Sequence, residues 1–342
     1  MDFEELNSIE KSFEILHGSL DFSVEEISST DDPTKHSICF LKDIKNQRKV
    51  GRFSQSDFFE NCCVVLEEKF YGKIKGTEDF EALCNSFPVV AKIESIHHAL
   101  PKFSEPFFHK KFSMCNDLVD GRQLGSVEIH PTANIAQNVF IGSHVKIGKN
   151  VEIFPGSVVM SLSEIGEGTK IFPNVTIYRN VIIGMNCRIH SQSVIGSDGY
   201  GYNYFDGIHH KIWHMGGVEI GDDVEIGSIT SIDSGTFSKT YIGSGSKIDN
   251  QVQIGHNSRV GKGVIICGQV GLAGSCIVGD FTVFGGKAGM GDGNQIGAGV
   301  QVAGAAMVNS DWPDGAKLGG HPARPLREWL KGLAFIRRES LK

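Results

Sequence analysis

The sequence predicts a mainly β chain: a long coil of short parallel strands, preceded by a small α/β domain and followed by a helix. Three observations predict it. An aliphatic residue recurs every six positions over most of the chain. Glycine is abundant, 42 of 342 residues against 10 prolines, and it is unevenly spread, with 5 glycines in residues 1–122 and 37 after them. Phenylalanine runs the other way, 13 of 22 lying before residue 111. There is no G-X-Y period and no proline excess, so collagen and low-complexity disorder are excluded. The change in composition places a domain boundary near residue 122.

Residues 1–122 alternate helix-like and strand-like stretches, among them Phe3–Leu16, Ser37–Leu41 and Cys62–Leu66. Their phenylalanines predict a small α/β domain with an aromatic pocket.

Residues 123–312 carry the repeat. It runs from Ile129 through Ile135, Ile141 and onward to Ile195 without a slip, resumes at Ile220, Ile226 and Ile232, steps ten residues to Ile242, and then holds to Val308, twenty-seven hexads in all. A period of six matches neither a helix at 3.6 nor a free strand at 2. It fits three short flat strands per turn, so that 18 residues make one rung of a triangular prism with the aliphatic side chains stacked inside, about nine rungs in total. Small residues follow the aliphatic one, as at Gly142, Gly166, Gly227 and Gly255. They suit corners where a Cβ would crowd the turn or the backbone needs a positive φ.

The two breaks in register predict loops leaving the prism, at about 198–217 and 233–241. Loops on a rigid scaffold are where function concentrates. The first holds His209, His210 and His214, whose His-x4-His spacing raises a metal site, but they lie on a glycine-rich excursion and no metal is expected. Residues 313–342 predict a helix after Pro322-Ala-Arg-Pro325, with Leu326, Trp329, Leu330, Leu333 and Ile336 on one face. Lys317, Arg324, Arg327, Lys331, Arg337, Arg338 and Lys342 against Glu328 and Glu339 give this end a local charge of +5, leaving -12 elsewhere from the total of -7. That charge suits the docking of a small acidic partner, or else an ordinary solvated helix face.

The acidic balance and a pI near 6.0 argue against a nucleic-acid binder. Eight cysteines without a C-x-x-C pair read as buried thiols of a reducing compartment. The start, Met-Asp-Phe-Glu-Glu, lacks the basic and apolar regions of a signal peptide, and no apolar run approaches a membrane span. A cytoplasmic location is expected.

The residues that carry chemistry cluster in Lys247-Ile-Asp-Asn-Gln-Val-Gln-Ile-Gly-His-Asn257. His256 lies two positions after a core aliphatic, so its imidazole reaches the prism surface. One rung later, at +18, stands Gly274. Adjacent rungs lie about 4.8 Å apart, so a base at His256 would face the backbone N–H of Gly274. Acyl transfer to an amine needs these two devices, a base near neutral pKa and an N–H aimed at the developing oxyanion. Asp249, seven residues before His256, would orient the imidazole.

Four segments, Ile195-Gly-Ser-Asp-Gly-Tyr-Gly-Tyr202, Gly216-Gly-Val-Glu-Ile-Gly-Asp-Asp-Val-Glu-Ile-Gly227, the run ending in His256-Asn257, and Gly268-Gln-Val-Gly-Leu-Ala-Gly-Ser275, resemble the UDP-3-O-acylglucosamine N-acyltransferases of lipid A biosynthesis. The resemblance covers nearly the whole chain and implies the left-handed parallel β-helix of the hexapeptide-repeat acyltransferases, assembled as a homotrimer with sites between prisms. It implies a uridine-binding domain in residues 1–122, an acyl carrier protein as donor with its phosphopantetheine thioester, a UDP-sugar acceptor, and no resident cofactor. His256 then matches the general base, Asp249 its acidic partner and Gly274 the oxyanion amide. Phe40 matches the aromatic that stacks on uracil. Asn257 falls among the substrate contacts, and Met307 falls where the acyl groove ends.

Three positions depart from the family pattern: Ser234 replaces an arginine, Gly293 a histidine and Asn46 a tyrosine. They bear on nucleotide or acyl-chain binding more than on proton transfer. Two further readings follow, a sugar-nucleotide acyltransferase with another acceptor or a coenzyme A donor, and a non-catalytic β-helix scaffold, against which the base beside a +18 glycine argues.

Overall fold

The computed structural model describes residues 1–30, 33–42, 61–320 and 326–341, for 326–329 the backbone alone. Phe3–Leu16 resolves into a helix, Phe3–Ile9, and a strand, Glu14–His17. Asp2 starts that helix with a reciprocal cap, accepting the Glu5 N–H at 2.9 Å while Glu5 accepts the Asp2 N–H at 3.0 Å. Among the described residues of this domain, five strands lie in the order Glu14–His17, Val89–Ile93, Cys63–Glu67, Ser37–Leu41, Glu26–Ile27, parallel except for the first pair. Helix Ile96–Lys111 covers one face. Its Ile96, Ala99, Phe103 and Phe107 recur at helical spacing and are all buried against Leu6, Ile38 and Val65.

The hexads form three flat parallel sheets of 10, 9 and 9 strands, the left-handed β-helix expected. Nearly every strand is two residues long and pairs with the strand 18 residues on, as Glu152–Ile153 does with Lys170–Ile171. The inward residue is the aliphatic one, so Ile153, Ile171 and Ile189 stack in one column at no more than 2% exposure. Each such side chain contributes about 1.5–3 kcal/mol by burial. The stability of the prism is thus spread evenly along it, and a catalytic group on any corner rests on a rigid frame.

The corner glycines follow the crowding argument and not the positive-φ one. A Cβ at Gly142, Gly166, Gly227 or Gly255 would stand 2.5–2.6 Å from atoms of the next rung. Positive φ falls two residues later, on Asn150, Asn174, Asn180, Asn186 and Asn257 at +55 to +60°, where asparagine is the side chain that tolerates it best. A twenty-eighth strand, Lys317–Leu318, pairs with Gln301–Val302 after an irregular step that includes Trp312.

The breaks in register tie the two parts together. The first carries an antiparallel hairpin, Tyr202–Phe205 with Ile208–Lys211, held to the long helix where Asn203 Nδ2 donates to the His97 carbonyl at 2.8 Å. Met215 from the first break and Phe237 from the second enter the core of the N-terminal domain. The C-terminal helix spans Leu326–Ser340, with Leu330, Leu333, Phe335 and Ile336 exposed. Among the described residues, no helix is long and apolar enough to cross a membrane.

Candidate active site

The hexad rule places His256. Ile254 turns inward, Gly255 takes the crowded corner, and the next side chain projects outward over the rung below. A Cβ on Gly274 would stand 2.7 Å from His256 Cε1 and 2.8 Å from Nε2. The imidazole therefore lies against Gly274, and only glycine leaves it room.

The Gly274 N–H takes no partner among the described residues. The fold shows what this position attracts. Elsewhere, the N–H two residues past the core aliphatic repeatedly binds a carboxylate: Met185 donates to Asp222 at 2.7 Å, Lys262 to Asp280 at 2.8 Å, Ala298 to Asp314 at 2.8 Å and Ser161 to Asp117 at 2.7 Å. The corner N–H is an anion site by geometry. At Gly274 the N–H takes no such partner among the described residues, although Asp292 Oδ1 would stand 3.1 Å from a Cβ there, and the imidazole lies alongside.

Asp249 is not brought to His256. It sits on the preceding face, where Oδ2 accepts the Gly268 N–H at 2.9 Å and Oδ1 accepts from Asn250 N at 2.7 Å and Asn250 Nδ2 at 2.9 Å. It is another of the corner clips. Seven residues along this coil carry the chain to the next face, so spacing in sequence does not become proximity here.

The group that meets His256 Nδ1 is Asn257 Nδ2, at 2.9 Å. Its orientation is set by the second break: Asn257 Oδ1 accepts the Thr236 N–H at 2.7 Å, and Nδ2 also donates to Thr236 Oγ1 at 3.1 Å. An amide NH2 thus faces Nδ1, which must accept. The neutral imidazole then carries its proton on Nε2, above Gly274.

Three further groups surround the base, all on the register breaks, where no periodicity flagged them. His214, weighed in the sequence only as a metal ligand, is 3% exposed and stands edge-on to His256, with ring centroids 5.5 Å apart. Burial pushes its pKa down to about 4, Asp198 opposing the fall and His256 adding to it. Burial holds the Asp233 carboxyl above its usual range, with the 2.9 Å hydrogen bond from Gln253 Nε2 and the charge of His256 pulling it back. Asp198 is paired with Lys211. His214, Asp198 and Ser234 line a cavity of about 450 Å³ whose walls also include Phe108, Phe112, Met160, Tyr178 and Arg179. The remaining histidines of the break turn elsewhere, His209 packing on Tyr204 and His210 stacking on Phe205 at 3.6 Å. Among the described residues, no three metal-ligating side chains gather.

On the outer side of the same sheet, the positions in register are Ser231, Gln253, Gly271, Gly289 and Met307. Below Gln253 they form a trough without side chains. It ends where Met307, 69% exposed, folds back so that its Cε would be 2.8 Å from a Cβ on Gly289.

Phe40 is half-buried on strand Ser37–Leu41 and packs on Phe103 at 5.7 Å. The neighbouring strand borders a second cavity of about 400 Å³ that holds Lys111, Lys239 and Arg259 with Glu26 and Glu219. Of the family departures, Ser234 is buried and its Oγ accepts the Gly217 N–H at 3.0 Å, while Gly293 has a φ of +67° and open space around it. Asn46 lies outside the described residues.

The chain is similar to several known proteins. Residues 163–197 match the family described as bacterial transferase hexapeptide (six repeats). A UDP-3-O-acylglucosamine N-acyltransferase from Helicobacter hepaticus is 44% identical over 234 residues, covering 67% of this chain and 72% of that protein. One from Methylobacterium nodulans is 44% identical over 159 residues, 46% of this chain and 45% of that protein, so that alignment spans less than half of the relative's length. Among solved structures, the UDP-N-acetylglucosamine O-acyltransferase of Moraxella catarrhalis is 27% identical, with 57% of this chain and 72% of that one covered and a TM-score of 0.48.

Proposed function

The chain belongs to the family of UDP-3-O-acylglucosamine N-acyltransferases, and from that premise we propose that it moves a 3-hydroxyacyl group from an acyl carrier protein to the 2-amine of a UDP-3-acylglucosamine. The observation that carries this reading is the imidazole of His256 packed against Gly274, whose N–H takes no partner among the described residues. The amine nitrogen attacks the thioester carbonyl, whose oxygen becomes an oxyanion held by that N–H. His256 takes the amine proton and returns it to the sulfur as the C–S bond breaks, leaving an amide and a free thiol. No resident cofactor enters the reaction. Incubation with UDP-3-acylglucosamine and a set of 3-hydroxyacyl carriers should give a product heavier by one acyl group; acyl transfer only from coenzyme A thioesters, or none at all, would overturn the proposal.

Asn257 acts through His256 in this scheme. Accepting a proton on Nε2 requires the tautomer protonated at Nδ1, and the amide NH2 opposes it. Rotating the amide to offer Oδ1 gives up the hydrogen bond from Thr236, at a cost of about 1 kcal/mol. Asn257→Asp supplies an acceptor to Nδ1 without that rotation. Its acid limb in the pH–rate profile should move to higher pH while turnover at neutral pH is kept; a superimposable profile would remove the tautomer argument.

The trough through Gly271 and Gly289 starts beside His256 and is bare of side chains, which suits an alkyl chain that ends against Met307. Met307→Ala should therefore shift donor preference toward longer chains. Each methylene newly buried contributes about 0.8 kcal/mol, so two would change relative kcat/KM roughly tenfold, read from competition between carriers of different length. An unchanged preference would place the chain elsewhere.

We further propose that the uracil stacks on Phe40 and the diphosphate meets Lys111, Lys239 and Arg259 in the adjoining cavity. The carrier protein, being acidic, docks on the basic face that includes Lys331, Arg337 and Arg338, in a homotrimer working in the cytoplasm.

A further inference from the structure

We propose that His214 binds the attacking amine together with His256, holding the amine proton that is not transferred. The inference rests on the reading of His256 as base and goes beyond it.

A primary amine that attacks through its lone pair presents two N–H bonds. One is given to the base. The other enters a water-poor site, where a donor left unpaired is costly. It needs a second acceptor, placed close enough to the first for both to reach one nitrogen.

His214 fits that need. Its Nδ1 lies 3.1 Å from the Ile212 carbonyl, which only accepts, so Nδ1 carries the proton and Nε2 presents a lone pair. Nε2 is fully buried and has no partner among the described residues. Buried polar atoms are rarely left so. The ring is edge-on to His256 and lines the cavity beside it, and its depressed pKa keeps it an acceptor at neutral pH.

The backbone over both rings is glycine for a visible reason. A Cβ on Gly199 would be 2.7 Å from Cβ and Cδ2 of His256, and one on Gly201 would be 2.5 Å from His214 Cε1. One strap, Asp198–Gly201, therefore packs on both imidazoles and fixes their mutual angle. As nitrogen gains positive charge during attack its N–H becomes a stronger donor, so the bond to His214 tightens in the transition state.

The test uses two acceptors, UDP-3-acylglucosamine and its N-methylated form, which has a single N–H to lose. His214→Leu should lower kcat/KM for the primary amine about tenfold, the equivalent of one hydrogen bond, and leave the N-methyl acceptor nearly unaffected. Equal losses on both acceptors, or on neither, would overturn the proposal. A measurement without any variant runs beside it. The ¹⁵N resonance of His214 Nε2 in the wild-type protein should move on adding UDP-3-acylglucosamine without donor, and a resonance that stays put would also overturn it. Failure of the parent reading looks different, since no acylated product would then form with either acceptor.

Discussion

His256→Ala is expected to lower kcat/KM for N-acyl transfer about 10²-fold or more, the usual loss when a general base is removed, while the protein melts close to the parent. The two halves of that expectation come from different parts of the structure. The imidazole lies outside the prism and is half-buried, whereas Ile248, Ile254 and Val260 around it carry the packing at no more than 3% exposure. Truncation leaves the column intact and removes only the group above Gly274. The Asn257 amide keeps both bonds to Thr236, so the second loop stays attached. Product mass after a fixed time, with thermal melting as control, reads both. Near-normal turnover would sink the assignment of the base and with it the proposed reaction path. A loss matched by a large fall in melting temperature would place His256 among structural residues.

The fold was legible because the code that writes it is local and repetitive. One inward aliphatic every six residues defines face, rung and register together, and a slip would show at once. The outward neighbours follow by counting, which is why His256 and Gly274 come together as the +18 rule requires. Legibility ends where the counting does. Sequence distance puts Asp249 beside His256, yet a seven-residue step turns a corner of the prism, and its carboxylate closes that corner instead. His214, Asp198, Asp233 and Thr236 all stand on the two excursions, whose return path depends on tertiary contacts such as Met215 and Phe237 in the N-terminal core. Nothing periodic reports that path. The role of Asn257 was hidden for another reason, since its position in the left-handed region already explains an asparagine there and masks the hydrogen bond to the imidazole. Leu318 escaped because the last step, like the break before Ile242, is ten residues long and has no further hexad after it to restore the count.

Gly274→Ala tests the other half of the site, and its expected effect is of similar size for a different reason. The added methyl leaves the N–H in place. It falls 2.7 Å from His256 Cε1 and 2.8 Å from Nε2, and 3.1 Å from Asp292 Oδ1, all inside ordinary carbon contact distance. The imidazole is the movable partner, and it must swing away from the point where nucleophile and oxyanion meet. A displacement near 1 Å at reacting atoms costs about 10²-fold, so kcat should fall by about that factor with little change in KM for the sugar nucleotide. Gly271→Ala, three residues earlier on the same rung, is the matched control. A Cβ there meets nothing within 4 Å, and it lies in the proposed acyl trough. The same chemical change should therefore spare kcat and raise KM for long-chain donors. Were both substitutions equally harmless, the close approach of rung and imidazole would have no part in catalysis; were both equally damaging to kcat, the loss would belong to the rung as a whole and not to the oxyanion position.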